Sequence, residues 1–146
     1  MDTRRRVLPL LFSVLSWVGP LPAAPAAPPP AQVVVVVNPH NTTALSRADV
    51  RNIFLGHSRS FPDGSPAIPL ALKEGSPVRS LFNQQYLRKD ETQLRAYWVE
   101  LIFTGRAQPP QEVESEAELR AMVERNPAYI GYLDPRNLGE GLRSLQ

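Results

Sequence analysis

Five valines in a row, at positions 33–37, form the first strongly patterned stretch of the domain. β-Branched side chains favour extended backbone, and an apolar run without alternation suits a strand covered on both faces. The pattern predicts a central strand over residues 32–38. Ser46 and Asp49 have the spacing of a capping box, with Asp in place of the commoner Glu. The helix they open puts Val50, Ile53 and Phe54 on one face, and Gly56 is a natural stop. Residues 61–66 have turn composition. A second apolar strand is predicted over 67–72, where Pro69 favours a sheet edge or a strand beginning. Helical runs follow at about 77–88, 91–104 and 116–125, the last opened by Ser115 and Glu118, and a third strand covers 128–133. Strands separated by helices imply an α/β domain, a small mixed or parallel sheet flanked by helices. Val34 and Val36 are expected in the strand beside Ile130, with Phe54, Phe82 and Trp98 packed over the sheet.

A different pattern precedes this one. Arg4, Arg5 and Arg6 lead into an apolar run at 7–18, followed by small residues and prolines at 21–27. That is the layout of a secretory signal peptide. The run is well short of the roughly 20 residues a spanning helix needs, and it contains Pro9. The expected organisation is a signal peptide at 1–26, a Pro/Ala-rich tether at 27–31, and one domain at 32–146, exported to the periplasm. The chain has no cysteine, which removes a lipid attachment site, disulfides and thiol chemistry.

Charge narrows the function classes. The 146 residues include 16 Lys plus Arg and 14 Asp plus Glu, a net +2. Setting aside Arg4, Arg5, Arg6 and Asp2 leaves 13 of each, so the exported domain is neutral. A neutral domain without a basic stripe has no footprint for nucleic acid.

Chemistry concentrates at Gly75, Ser76 and Pro77, which follow the second strand and open the next helix. Ser76 is a good N-cap, and Pro77 fits the first helical position because that amide has no helical partner. Two readings stand side by side. One is an ordinary capped helix with Arg79 on its surface. The other is an anion cradle, in which Gly75 admits a ligand to the backbone, the helix start offers amides, and Lys73 or Arg79 adds charge. His40 and His57 lack the close spacing of a metal site. The acids Glu112, Glu114, Glu116 and Glu118 read as a solvated run entering a helix start. Ser46, Ser58, Ser60 and Ser65 have no assigned base, so no nucleophilic triad can be built. Trp98 reads as core, with cleft lining as its other option. Neither catalysis nor a cofactor is expected.

Several motifs also occur in a fixed order: Ile53-Phe54-Leu55-Gly56, Tyr97-Trp98, Phe103-Thr104-Gly105-Arg106, Pro109-Pro110 and Ile130-Gly131-Tyr132. Over about residues 33–134 this resembles short, single-lobe phosphate ABC transporter substrate-binding-like proteins, and through them the second lobe of the phosphate receptors. The resemblance implies one lobe of a type 2 periplasmic binding protein. It also implies weak binding of inorganic phosphate or another small oxyanion, and an inner-membrane transporter or sensor as partner. In the receptors the anion loop reads Gly-Ser-Gly-Thr with an arginine shortly before it. Here Ser76 matches the serine, while Pro77 and Val78 replace the glycine and threonine, and Leu72 stands near the arginine position. The anion-binding candidates are therefore Gly75 and Ser76, with Lys73 and Arg79 as substitute cations. The departures favour an alternative, an interaction protein that keeps the receptor lobe and docks on a membrane complex without a ligand.

Overall fold

The computed structural model describes Gly19 and residues 32–145. The expected leader and tether lie outside the described residues, apart from Gly19. The strands are β1 (Val34–Val37), β2 (Ile68–Leu72), β3 (Gln111–Val113), β4 (Tyr129–Leu133) and β5 (Arg143–Leu145). The α-helices are α1 (Arg47–Phe54), α2 (Pro77–Phe82), α3 (Glu91–Phe103) and α4 (Glu116–Arg125). All five strands join one sheet in the order β3-β2-β4-β1-β5.

The sheet is mixed. β2 runs parallel to β3 and β4, whereas β1 runs antiparallel to β4 and β5. Val37 pairs with Ile130 and Val36 with Gly131, so the valine run lies beside the Ile-Gly-Tyr strand as its composition predicts. Val35, Val36 and Val37 are fully buried. β2 is an inner strand rather than an edge. Pro69 is tolerated there because its register is paired only with Ile130 of β4, and pairing with β3 begins one residue later, at Leu70.

Capping follows the sequence closely. Ser46 and Asp49 form the reciprocal box at the start of α1. Ser76 caps α2 and Ser115 caps α4, although Glu118 turns its carboxylate to the Glu114 amide rather than completing a box. The run at 77–88 is not one helix. After Phe82 the turn widens into a π-helical segment, Asn83–Leu87, and Arg88 in the left-handed region (φ 57°) ends it. The buried Asn83 accounts for the change, since its side chain is committed to Glu91 at the start of α3.

An aromatic group fills the space between helices and sheet. Phe82 stacks on Tyr132 with centroids 4.0 Å apart, and Phe54 meets Phe82 at 4.6 Å. The Tyr132 hydroxyl accepts a hydrogen bond from the Leu72 amide at 3.0 Å, and burial pushes its pKa far above the ordinary phenol value. At the far end of β1, buried Asn38 donates to the Val123 and Glu124 carbonyls at 2.9 Å each, closing the end of α4. Phe54 and Phe82 are buried as expected, but Trp98 is only half-buried against the same core.

Candidate functional site

The end of β2, the turn after it and the start of α2 bring the four candidate residues together. Gly75 takes φ 92°, a left-handed conformation that glycine adopts without strain, and a Cβ there would meet nothing. Ser76 then caps the helix, its Oγ accepting the Arg79 amide at 3.4 Å, while its own amide donates to Lys73 O. Pro77 contributes no donor. Of the groups at this helix start, the Val78 amide and the Ser76 hydroxyl proton remain without an acceptor among the described residues.

The cations are engaged elsewhere. Arg79 is not a surface side chain: it turns back under the end of β2 and is only 16% exposed. Its Nε and Nη2 donate to the two carboxylate oxygens of Glu91, at 2.6 and 3.0 Å. Nη1 donates to Leu72 O at 2.7 Å and to Glu112 Oε2 at 2.9 Å. Burial pulls the Arg79 pKa down, but the bonds it donates to Glu91 and Glu112 outweigh this and hold the pKa above its ordinary value. Lys73 reaches Glu114 at 3.0 Å, and Glu74 pairs with Arg95. Four carboxylates thus surround the Gly75 turn against three cations, leaving a local excess of one negative charge.

Glu112 was expected in a solvated acidic run, and it is exposed, as are Glu114 and Glu118. It also stands on β3, a strand too short and too polar to show in the apolar pattern, and it is the residue that brings this strand to Arg79. Glu91 carried no sequence signal beyond its place in the first turn of a helix. The other acids do structural work: Glu118 caps the Glu114 amide, and Glu116 accepts the Asp134 amide.

Beside Arg79 the packing leaves a partly open cavity of about 380 Å³. Phe54, Phe82, Leu94, Trp98 and Tyr132 form its walls, and Arg79 and Glu112 stand at its polar side. Trp98 therefore does both things considered for it, packing on the core with one part of the indole and lining the cleft with another. His40 is an exposed residue bonded to Asn38, and His57 lies 3.1 Å from the Tyr97 hydroxyl. No group of three or more His, Cys, Asp or Glu among the described residues is placed to hold a metal ion.

Solved structures share this arrangement of sheet and helices. The fold is that of one lobe of a phosphate receptor. An ABC-type phosphate transport receptor from Vibrio cholerae matches with a TM-score of 0.62 at 15% identity, over 80% of this chain and 46% of its own. A phosphate ABC transporter substrate-binding protein from Clostridium perfringens, solved with bound phosphate, gives 0.63 at 13% identity, over 80% and 44%. PstS from Borrelia burgdorferi gives 0.58 at 15% identity, over 80% and 47%. The chain thus spans less than half the length of each of these receptors. No protein-family model matches the sequence, and no curated protein matches it. No helix among the described residues is long and apolar enough to cross a membrane.

Proposed function

We propose that this chain is an exported, non-enzymatic receptor lobe that engages phosphate or a similar oxyanion weakly at Gly75 and Ser76 and works with an inner-membrane transporter or sensor. The observation that carries the reading is the match of 80% of the chain to one lobe of several phosphate receptors. The turn geometry supports it, with Gly75 open to a ligand and Ser76 at a helix start. The basic-apolar-small leader supports export to the periplasm.

Weak binding follows from the charges. An anion has two uncommitted donors at the helix start and meets a surround with one excess negative charge. Two charge-assisted hydrogen bonds give about 3–6 kcal/mol gross, and loss of mobility takes back at least about 4 kcal/mol. The balance, at most about 2 kcal/mol, corresponds to a dissociation constant of tens of millimolar or weaker. A second reading, a receptor lobe kept as a docking module without a ligand, is favoured by the engagement of Arg79 with Glu91, Glu112 and Leu72 O.

Calorimetric titration with phosphate separates the two. The Glu112→Gln, Glu114→Gln double variant weakens the hold on Arg79 Nη1 and Lys73, so on the receptor reading it binds phosphate several-fold more tightly than the parent. On that reading Ser76→Ala binds more weakly and loses about 1 kcal/mol of stability with its cap. A double variant that gives no heat with phosphate excludes the oxyanion site and leaves the docking module.

A further inference from the structure

Arg79, Glu112 and a set of aromatic side chains meet at the partly open cavity of about 380 Å³ beside the end of β2. Its volume is ample for a ligand of one ring, since an apolar cavity of about 150 Å³ already takes up benzene. Pockets that bind small molecules share this make-up, mostly apolar walls with a few placed polar groups. Gly75 and Ser76 lie outside its lining, so what the cavity binds does not depend on the oxyanion reading of that turn.

The walls indicate the body of the ligand. Phe82 stacks on Tyr132 at 4.0 Å and on Tyr86 at 5.0 Å, with interplanar angles of 6° and 18°. With rings stacked on it in this way, Phe82 meets the cavity with its edge. An aromatic edge carries partial positive charge and prefers the face of another ring. Half-buried Trp98, with Pro109 and Pro110, adds flat apolar surface against which a ring packs.

The polar side indicates the charge. Arg79 donates to both carboxylate oxygens of Glu91, to Leu72 O and to Glu112 Oε2. A carboxylate ligand would have to displace one of these acceptors to reach it. Glu112 Oε1 has no hydrogen-bond partner among the described residues, and the Glu112 side chain is 57% exposed. One arginine against Glu91 and Glu112 leaves a net charge of one negative at this side. A cation that donates to Glu112 Oε1 balances that charge, whereas an anion adds to it.

We infer that this cavity is a binding site for a small aromatic amine, its ring against Trp98 and the edge of Phe82 and its ammonium group on Glu112. Phenethylamine, phenethyl alcohol and phenylacetate carry the same ring with a positive, a neutral and a negative end. NMR titration of the purified chain with these three probes tests the site. At neutral pH the amine is expected to bind saturably at about a millimolar, the alcohol more weakly and the acid least. The amide shifts should centre on Ala71, Leu87, Trp98 and Glu112. Glu112→Gln, a change at an exposed side chain, should weaken the amine about threefold to tenfold and leave the alcohol as it was. The same substitution raises affinity for an oxyanion at the Gly75 turn, so the two sites respond to it in opposite directions. Glu100→Gln removes a charge from the helix that carries Trp98 but lies outside the cavity lining, and should leave amine binding unchanged. An amine that does not saturate, shifts centred elsewhere, or an acid bound as tightly as the amine overturns the proposal. A Glu112→Gln variant that keeps the full preference for the amine, or a Glu100→Gln variant weakened as much as Glu112→Gln, overturns it as well.

Discussion

Arg79 and Glu91 meet through two hydrogen bonds, one from Nε at 2.6 Å and one from Nη2 at 3.0 Å, with both side chains largely shielded from water. The pair ties α2 to the start of α3, and Leu72 O and Glu112 extend the tie to β2 and β3. Breaking a buried pair from one side leaves the other charge uncompensated, at about 3–5 kcal/mol. Partial exposure lowers that here, so Arg79→Ala is expected to cost about 2–3 kcal/mol by urea denaturation. Arg79→Lys keeps the charge but cannot reproduce the fork, and should recover less than half of the loss. A cost within about 0.5 kcal/mol, as at ordinary surface sites, would return Arg79 to solvent.

Gly131 has no side chain because α4 occupies the space. A Cβ built there lies 2.5 Å from Leu119 Cδ2, and Leu119 is fully buried. Gly131→Ala must push Leu119 and α4 off the sheet, and overpacking of this kind costs about 1–3 kcal/mol. Pairing the change with Leu119→Ala should give a total loss smaller than the sum of the two single losses, measured as a double-mutant cycle. Strict additivity would show that the two positions do not touch.

The Arg136 side chain, and next its backbone amide, hold the Asp134 carboxyl at about 2 against an ordinary 3.8. A lowered folded-state pKa gives a stabilising contribution that is complete above 3.8 and disappears as pH falls through about 2. Arg136→Ala removes the side-chain bond but keeps the amide, so the Asp134 midpoint followed by carboxyl carbon NMR should rise part of the way to 3.8. A midpoint that stays at about 2 would assign the shift to the backbone alone.

Trp98 is half-buried, touches the ideal Cβ position of Gly56 at 3.3 Å and borders the cavity beside Arg79. Full burial of a large aromatic would predict a loss of about 3–5 kcal/mol on truncation to alanine. Half-burial reduces this to about 2 kcal/mol by the same reasoning. Quenching of Trp98 fluorescence by acrylamide in the Trp17→Phe background should be appreciable in the native protein. An indole as protected as a core residue would contradict the partial exposure.

The elements visible in the sequence are those with a strong local signal. The valine run, the Ser46 and Ser76 caps and the helix at 116–125 all appear where their residues place them. β3 and β5 are three residues each, and neither carries an alternating pattern that marks a strand by itself; both exist because a longer neighbour offers an open edge. The candidate site was half legible. Ser76 was found from its position before a helix, but the partners of Arg79 come from α3, β3 and the end of β2. No local pattern links those segments, so the neutralisation of the site emerges only from the tertiary fold.

The pairing of β1 with β4 and β5 has a kinetic consequence. The most apolar strand of the domain is laid down early, yet both of its neighbours come from the far end of the described chain. Until they arrive, the valine run has no sheet to join, and non-local pairing of this kind delays folding. For most of its synthesis the chain remains an open polypeptide with an exposed sticky segment. A chain that stays unfolded for long is a demanding client for a holding chaperone. The strand order thus governs when the protein can become compact as well as what shape it takes.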